Sequence, residues 1–379
     1  MSSIDQSVTT IAVNGPQPYE VLVGRGLLGS VPSWIAEVPR PPQRVALVYD
    51  EALAGPETAG ARLRALRAGL EEHFTVCDLP LPSGESAKSV TAVSAAWERL
   101  GAAGFTRSDW VVTCGGGAVT DVGGFIAATW LRGVPVVHVP STVLAMVDAA
   151  VGGKTGMNTA AGKNLVGAFH EPSRVFCDLD LLTSLPEPEL SSGMAEAIKA
   201  GFIADPEILE LAAGLGPLSV AVDTSAFREI VERAIAVKAT VVAADLKESG
   251  GEGRHPGREA LNYGHTLAHA IERAEDYRTR HGEAVAIGCV FVAEVAHRSG
   301  LIDRALLDRH RQAFAAMGLP TTYSGSDWAT LRATMSVDKK SRGSSLRLVI
   351  LHGLADPRIL ADPAESLLEE AAMAIGVRR

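Results

Sequence analysis

Apolar β-branched runs punctuate the first half of the chain. Arg44-Val-Ala-Leu-Val-Tyr49, Trp110-Val-Val-Thr113 and Val134-Pro-Val-Val-His-Val139 lack the polar alternation of a half-exposed strand, so they predict parallel strands buried on both faces. From about residue 19 to 178 these runs alternate with helical segments, the pattern of an α/β domain. Beyond about residue 186 apolar positions recur at helical spacing over 190–203, 227–244, 263–274 and 283–298, which predicts a mostly helical second half. The breaker stretch Leu185-Pro-Glu-Pro-Glu189 marks the change and sets the expected domains at 1–183 and 184–379. Two domains meeting there would form a cleft. A second breaker-rich stretch, residues 248–257, interrupts the helical half and reads as a surface loop.

Composition narrows the functional classes. The chain, at 379 residues, is long enough to bury two cores. A net charge of -9 disfavours nucleic acid or an anionic membrane as the main ligand. Cys77, Cys114, Cys177 and Cys289 lie far apart without a CxxC pair, which predicts reduced thiols rather than a disulfide framework or zinc knuckle. The polar first ten residues lack a signal-peptide pattern, and the apolar run 284–293 is shorter than the ~20 residues a bilayer span needs. The expected location is the cytoplasm.

Three groups of residues carry candidate chemistry. Cys114-Gly-Gly-Gly117 follows a predicted strand and precedes a helical run, where glycine lets backbone amides approach a pyrophosphate at the helix N-terminus. It is not the GxGxxG fingerprint, and a glycine run also serves as a plain tight turn. Asp148-Ala-Ala-Val-Gly-Gly-Lys-Thr-Gly156, followed by Gly162-Lys-Asn164, sets two lysines and an amide near flexible backbone, which suits an anionic ligand. The GxxxxGK[ST] spacing fails there, which excludes a P-loop. In the helical half, His265 and His269 share a helix face, His281 follows, and Glu196 and Lys199 lie one turn apart on an earlier helix. Histidines and a carboxylate from separate helices suit a divalent ion such as zinc with an open position. Spacing does not say which two histidines bind it; the third is suited to a phosphate or a proton. Lys238, Arg258, Lys339 and Lys340 add positive charge suited to a substrate carrying a carboxylate and a phosphate.

In order along the chain, Glu85-Ser-Ala-Lys88, Gly115-Gly-Gly-Ala-Val-Thr-Asp121, Trp130-Leu-Arg-Gly133, Pro140-Ser-Thr142, residues 147–156, Gly162-Lys-Asn164, Gly193-Met-Ala-Glu-Ala-Ile-Lys199, residues 261–272, His281-Gly-Glu283 and Asp338-Lys-Lys340 resemble the 3-dehydroquinate synthase family of sugar-phosphate cyclases. The resemblance implies an N-terminal Rossmann-like, NAD-binding α/β domain, a mostly α-helical metal-binding domain, an active site between them and a homodimer. It implies zinc or cobalt on Glu196, His265 and His281, which leaves His269 to the substrate. It implies NAD contacts from Asp50, Glu85, Lys88, Gly116, Gly117, Asp121, Ser141, Thr142, Asp148, Lys154, Lys163, Ser184 and Glu189. Substrate contacts would come from Arg132, reaching in from the partner subunit, and from Asp148, Lys154, Asn164, Lys199, Lys238, Arg258, Asn262, His269 and one lysine of the 339–340 pair, taken as Lys340.

The implied reaction belongs to the shikimate pathway of aromatic amino-acid biosynthesis. It turns 3-deoxy-D-arabino-heptulosonate 7-phosphate (DAHP) into 3-dehydroquinate through transient oxidation by NAD, phosphate elimination, re-reduction and aldol closure. Ser141 stands where threonine is usual and Ala268 where glycine is common. Leu246 replaces an expected acid, and the loop after it is long, so that Arg254 competes with Arg258 for one role. An amino-dehydroquinate synthase or another sugar-phosphate cyclase and, in another class, a metal-dependent polyol dehydrogenase are the rival readings.

Overall fold

The apolar runs become the strands of one sheet. The computed structural model describes residues 7–55, 58–160, 162–248, 256–342 and 346–379, the side chains of 336–342 excepted. By internal contact the chain forms two compact units, one running to Pro186 and including Lys238–Leu246, the other comprising Glu187–Val237 and Lys247–Arg379.

The first unit runs β1 (Thr9–Val13), β2 (Tyr19–Gly24), α1 (Ser30–Glu37), β3 (Arg44–Asp50), α2 (Thr58–Glu71), β4 (Thr75–Leu81), α3 (Val90–Ala102), β5 (Trp110–Gly115), α4 (Gly117–Thr129), β6 (Val136–Pro140), β7 (Lys154–Thr159), β8 (Gly162–Phe169) and β9 (Arg174–Asp178). Seven strands form a sheet in the order β1-β2-β9-β6-β5-β3-β4. Every pair in it is parallel except β1 with β2. All residues of β5 and β6 are buried, as central strands covered on both faces must be. Val31, Ile35, Leu63, Leu66 and Leu70 of α1 and α2 form one apolar layer with Leu47 and Val112. Val93, Ala96 and Leu100 of α3, with Val119, Val122 and Ile126 of α4, pack with Val48 and Val111 in a second. The α/β prediction holds.

The second unit contains α5 (Glu187–Ile203), α6 (Glu207–Ala213), α7 (Leu218–Ala221), α8 (Ser225–Ala244, whose end from Lys238 belongs to the first unit), α9 (His265–Ala274), α10 (His281–Arg298), α11 (Arg304–Ala316) and α12 (Trp328–Arg342). A hairpin of β10 (Arg347–Leu351) and β11 (Pro357–Ala361) and then α13 (Glu365–Ala374) follow. α5 and α10 are buried along almost their whole length, which is why their sequences are apolar on every side. Among the described residues no helix is long and apolar enough to cross a membrane. Cys114, Cys177 and Cys289 are buried free thiols and Cys77 is a partly buried one.

Two hairpins went unread in the sequence. The glycine- and lysine-bearing residues 154–159 and 162–169 fold as the antiparallel pair β7–β8, and Leu348-Val-Ile-Leu351 forms a strand inside the helical half. Of the long loop, residues 249–255, including Arg254, lie outside the described residues.

Candidate active site

The carboxyl ends of three parallel strands gather the residues expected to hold a nucleotide. β3 ends on Asp50, β5 on Gly115 and β6 on Pro140, so Asp50, Gly116–Gly117 and Ser141–Thr142 share one edge of the sheet. From β3 the sheet continues to β4 on one side and β5 on the other, the switch point at which open α/β sheets bind ligands. α4 starts there, capped by Gly116 without a side-chain hydrogen bond, so its first-turn amides are directed at that edge. A Cβ on Gly116 would stand 3.3 Å from Thr142 Cγ2, and one on Gly117 would stand 3.3 Å from Ala149 Cβ. Any larger residue would fill this cradle.

Polar side chains of the same unit pair with one another. Asp50 accepts from the Ala52 amide at 2.9 Å and from the Ser83 hydroxyl. Lys88, buried, pairs with Asp121 and donates to Asn164 Oδ1 at 2.9 Å. Burial pushes the Asp121 carboxyl above the usual range, with the Lys88 ammonium opposing. Glu85 accepts from Asn158 Nδ2 at 2.6 Å and lies 3.7 Å from Lys163 Nζ. Asn164 sits in the left-handed region at φ 54°, its amide donating to Asn158 Oδ1 at 2.9 Å. Asp148 pairs with Lys238 near the end of α8. Lys154 is exposed at the start of β7, and Arg132 is exposed on a turn where it and Leu131 have φ 70° and 49°. Ser184 donates to the Leu181 carbonyl at 3.3 Å.

The second unit brings three helices together at one point. Glu196 lies in the middle of α5, His265 opens α9 and His281 opens α10. Glycine permits the approach. Gly264 has φ 79°, and a Cβ there would meet Cys289 N at 2.6 Å; a Cβ on Gly282 would meet Ser192 O at 2.0 Å, and one on Gly288 would meet Gly264 O at 2.0 Å. With those contacts made, the ligand atoms of Glu196, His265 and His281 lie within 4.8 Å of one another. His265 Nε2 and His281 Nε2 stand 3.5 and 3.4 Å from Glu196 Oε1. The other Glu196 oxygen pairs with Lys199, which also donates to the Leu261 carbonyl at 2.6 Å. Oε1 itself is buried and has no hydrogen-bond partner.

A buried carboxylate oxygen left unpaired costs free energy, so the geometry calls for a cation. Two imidazole nitrogens and one carboxylate oxygen are the donor set of a divalent zinc- or cobalt-type ion with a coordination position left open. The imidazoles are aimed from behind: His265 Nδ1 donates to the Tyr263 carbonyl at 3.2 Å, and His281 Nδ1 stands 3.5 Å from Glu272 Oε1. Burial alone would raise Glu196, but Lys199 and the two imidazoles hold it well below the carboxylate range. Burial, seconded by Lys199, lowers His265 to about 3. For His281, burial is outweighed by Glu196 and Glu272, which raise it to about 10.

His269 stands outside this set, its ring 5.4 Å from His265 and 6.5 Å from His281. Arg258 is buried in the turn that ends on Asn262. Glu189 pairs with Arg280 at 2.8 Å. The side chains of Lys339 and Lys340 lie outside those described. Three contributors escaped the sequence reading: Asn158, the Tyr263 carbonyl and Glu272. Only Glu272 left a signal, seven residues after His265 and hence on the same helix face.

The matches to known proteins agree with this geometry. A family model described as 3-dehydroquinate synthase N-terminal matches residues 78–192, and one described as 3-dehydroquinate synthase C-terminal matches residues 193–341. A 3-dehydroquinate synthase of Thermobifida fusca is 52% identical over 97% of this chain and 97% of its own. The fold superposes on 2-deoxy-scyllo-inosose synthase complexed with carbaglucose-6-phosphate, NAD+ and Co2+, with TM-score 0.84 and 25% identity over 97% of this chain and 99% of that one. It also superposes on 2-epi-5-epi-valiolone synthase from Streptomyces hygroscopicus with NAD+ and Zn2+ bound, with TM-score 0.83 and 26% identity over 94% and 96%.

Proposed function

The chain belongs to the 3-dehydroquinate synthase family, and from that premise we propose that it is a carbon–oxygen lyase converting DAHP to 3-dehydroquinate and phosphate, with NAD and a divalent ion as cofactors. The observation that carries the reading is the buried, unpartnered Oε1 of Glu196 facing the Nε2 atoms of His265 and His281. These three residues would hold zinc or cobalt, as Asp50, Glu85, Lys88, Gly116, Gly117, Asp121, Ser141, Thr142, Asp148, Lys154, Lys163, Ser184 and Glu189 would line the NAD site. When bound, NAD takes up and returns a hydride, and the ion polarises the oxygens of the reacting carbons.

The chain's own part is orientation and charge. The Gly116–Gly117 turn and the first-turn amides of α4 donate hydrogen bonds to the pyrophosphate, and Asp50 at the end of β3 accepts hydrogen bonds from hydroxyls of the nucleotide. Lys154, Lys238, Arg258 and one lysine of the 339–340 pair hold the substrate's carboxylate and phosphate, with Asn164, Lys199, Asn262 and His269 completing the shell and Arg132 entering from a second subunit. Ion pairs with Glu196 and Asp148 orient the ammonium groups of Lys199 and Lys238 in advance. The departing phosphate serves as base for its own elimination, which leaves the protein to position it. A homodimer and a cytoplasmic place in the shikimate pathway, leading to chorismate and the aromatic amino acids, belong to the same reading.

Purified protein given DAHP, catalytic NAD and zinc or cobalt should release phosphate over many turnovers without accumulating NADH, and a chelator should stop it. Steady NADH formation from a polyol would replace this reading with a dehydrogenase, and turnover of aminoDAHP alone would replace the substrate.

A further inference from the structure

The two imidazoles of the triad are held differently at their outer nitrogens. His265 Nδ1 meets a neutral group, the Tyr263 carbonyl at 3.2 Å, whereas His281 Nδ1 meets a carboxylate oxygen of Glu272 at 3.5 Å. Glu272 is 5% exposed and sits on α9 two turns beyond His265, so one helix supplies one ligand and supports the other. His281 opens α10 with its side chain 25% exposed, whereas Glu196 is enclosed in the middle of α5 at 3%. In this ring orientation His281 Nε2 stands 3.4 Å from Glu196 Oε1 while Nδ1 is turned toward Glu272.

We propose that Glu272 is a positioning residue: its carboxylate holds Nδ1–H of His281, fixes the tautomer that leaves Nε2 unprotonated for the ion, and makes His281 the stronger donor of the two imidazoles. The proposal rests on the metal-site reading above. Glu272 is not one of the three residues whose ligand atoms cluster.

The test compares the full-length protein with Glu272→Gln and Glu272→Leu, measuring the Kd for zinc and cobalt by competition with a chromogenic chelator, the visible spectrum of the cobalt form, the unfolding midpoint without metal, and kcat against metal concentration. Glu272→Leu should bind metal ~10–100-fold more weakly with a shifted cobalt spectrum. Glu272→Gln, which keeps an oxygen for Nδ1–H, should lose less affinity and regain near-parental kcat once metal is saturating. A changed unfolding midpoint with an unchanged metal Kd in both variants would assign Glu272 to packing alone and overturn the proposal. Should the Leu variant not fold, an unaltered Kd and metal dependence of kcat in the Gln variant would overturn it equally. A parental protein that binds no divalent ion would overturn the metal-site reading and this proposal together, whereas binding by parent and variants alike overturns this proposal only.

Discussion

Oε1 of Glu196 concentrates the site's chemistry in one atom, because burial without a partner makes it a binding determinant rather than a surface acid. Removing a ligand beside it should therefore empty the site without unfolding the chain. His281→Ala is expected to lose more metal affinity than the ~100-fold that a supporting group can cost, and to lose turnover, with retained helical signal. Metal content after dialysis, read beside circular dichroism, checks both halves. Lys154 is exposed and is assigned to an anionic ligand, so Lys154→Ala should raise KM for DAHP by ~10-fold or more, the scale of a ~1.5–3 kcal/mol charge-assisted hydrogen bond. NAD affinity should change far less, and equal losses would remove that assignment. Spacing alone left His265, His269 and His281 equivalent. In space α10 brings His281 from another helix to the Glu196–His265 group while His269 stands outside it, and a periodicity within one helix carries no such information.

Helices α5, α9 and α10 converge because glycines let backbone meet backbone. Gly288 lies so near the Gly264 carbonyl that a methyl group there would stand 2.0 Å from it, and neither helix yields without moving a ligand histidine. Gly288→Ala should cost ~1–3 kcal/mol by overpacking and weaken metal binding as His281 leaves His265, measured by denaturant midpoint and metal Kd. The helices themselves were legible, since 190–203, 227–244 and 283–298 each match an observed helix, whereas the tertiary reason for their glycines was not. β7–β8 was illegible for another reason: half-exposed and glycine-rich, it lacks the apolar run that announced β5. Two buried histidines add a pH signature. Burial lowers His138 of β6 to about 3 and His310 of α11 to about 4, below the ordinary ~6.5 of an unfolded chain. The unfolded state therefore binds more protons between pH ~6.5 and ~4, and stability is lost as pH falls through that window, by up to ~1.4 kcal/mol per unit per histidine. Unfolding free energy measured across the window should show this slope, and His310→Gln should make it shallower.

At the scale of the whole molecule, the proposed homodimer gives Arg132 its purpose. On one face of β8, Leu165 is 58% and Phe169 47% exposed, a pair of large apolar side chains that solvent alone does not explain. His170, just beyond β8, meets the Val134 carbonyl at 2.8 Å, which ties the end of that strand to the segment following the Leu131–Arg132 turn. If the proposed second copy covers this face, replacing both Leu165 and Phe169 by Glu should yield a monomer by light scattering with little residual turnover. Mixing subunits separates that idea from mere loss of packing. When Arg132→Ala chains are refolded together with His281→Ala chains, random pairing makes about half the dimers mixed. If Arg132 acts on the partner's site, each mixed dimer joins an intact triad to an intact arginine at one of its two sites, and the mixture recovers about a quarter of parental turnover. If Arg132 serves the site of its own chain, every site in the mixture carries one defect and no turnover returns.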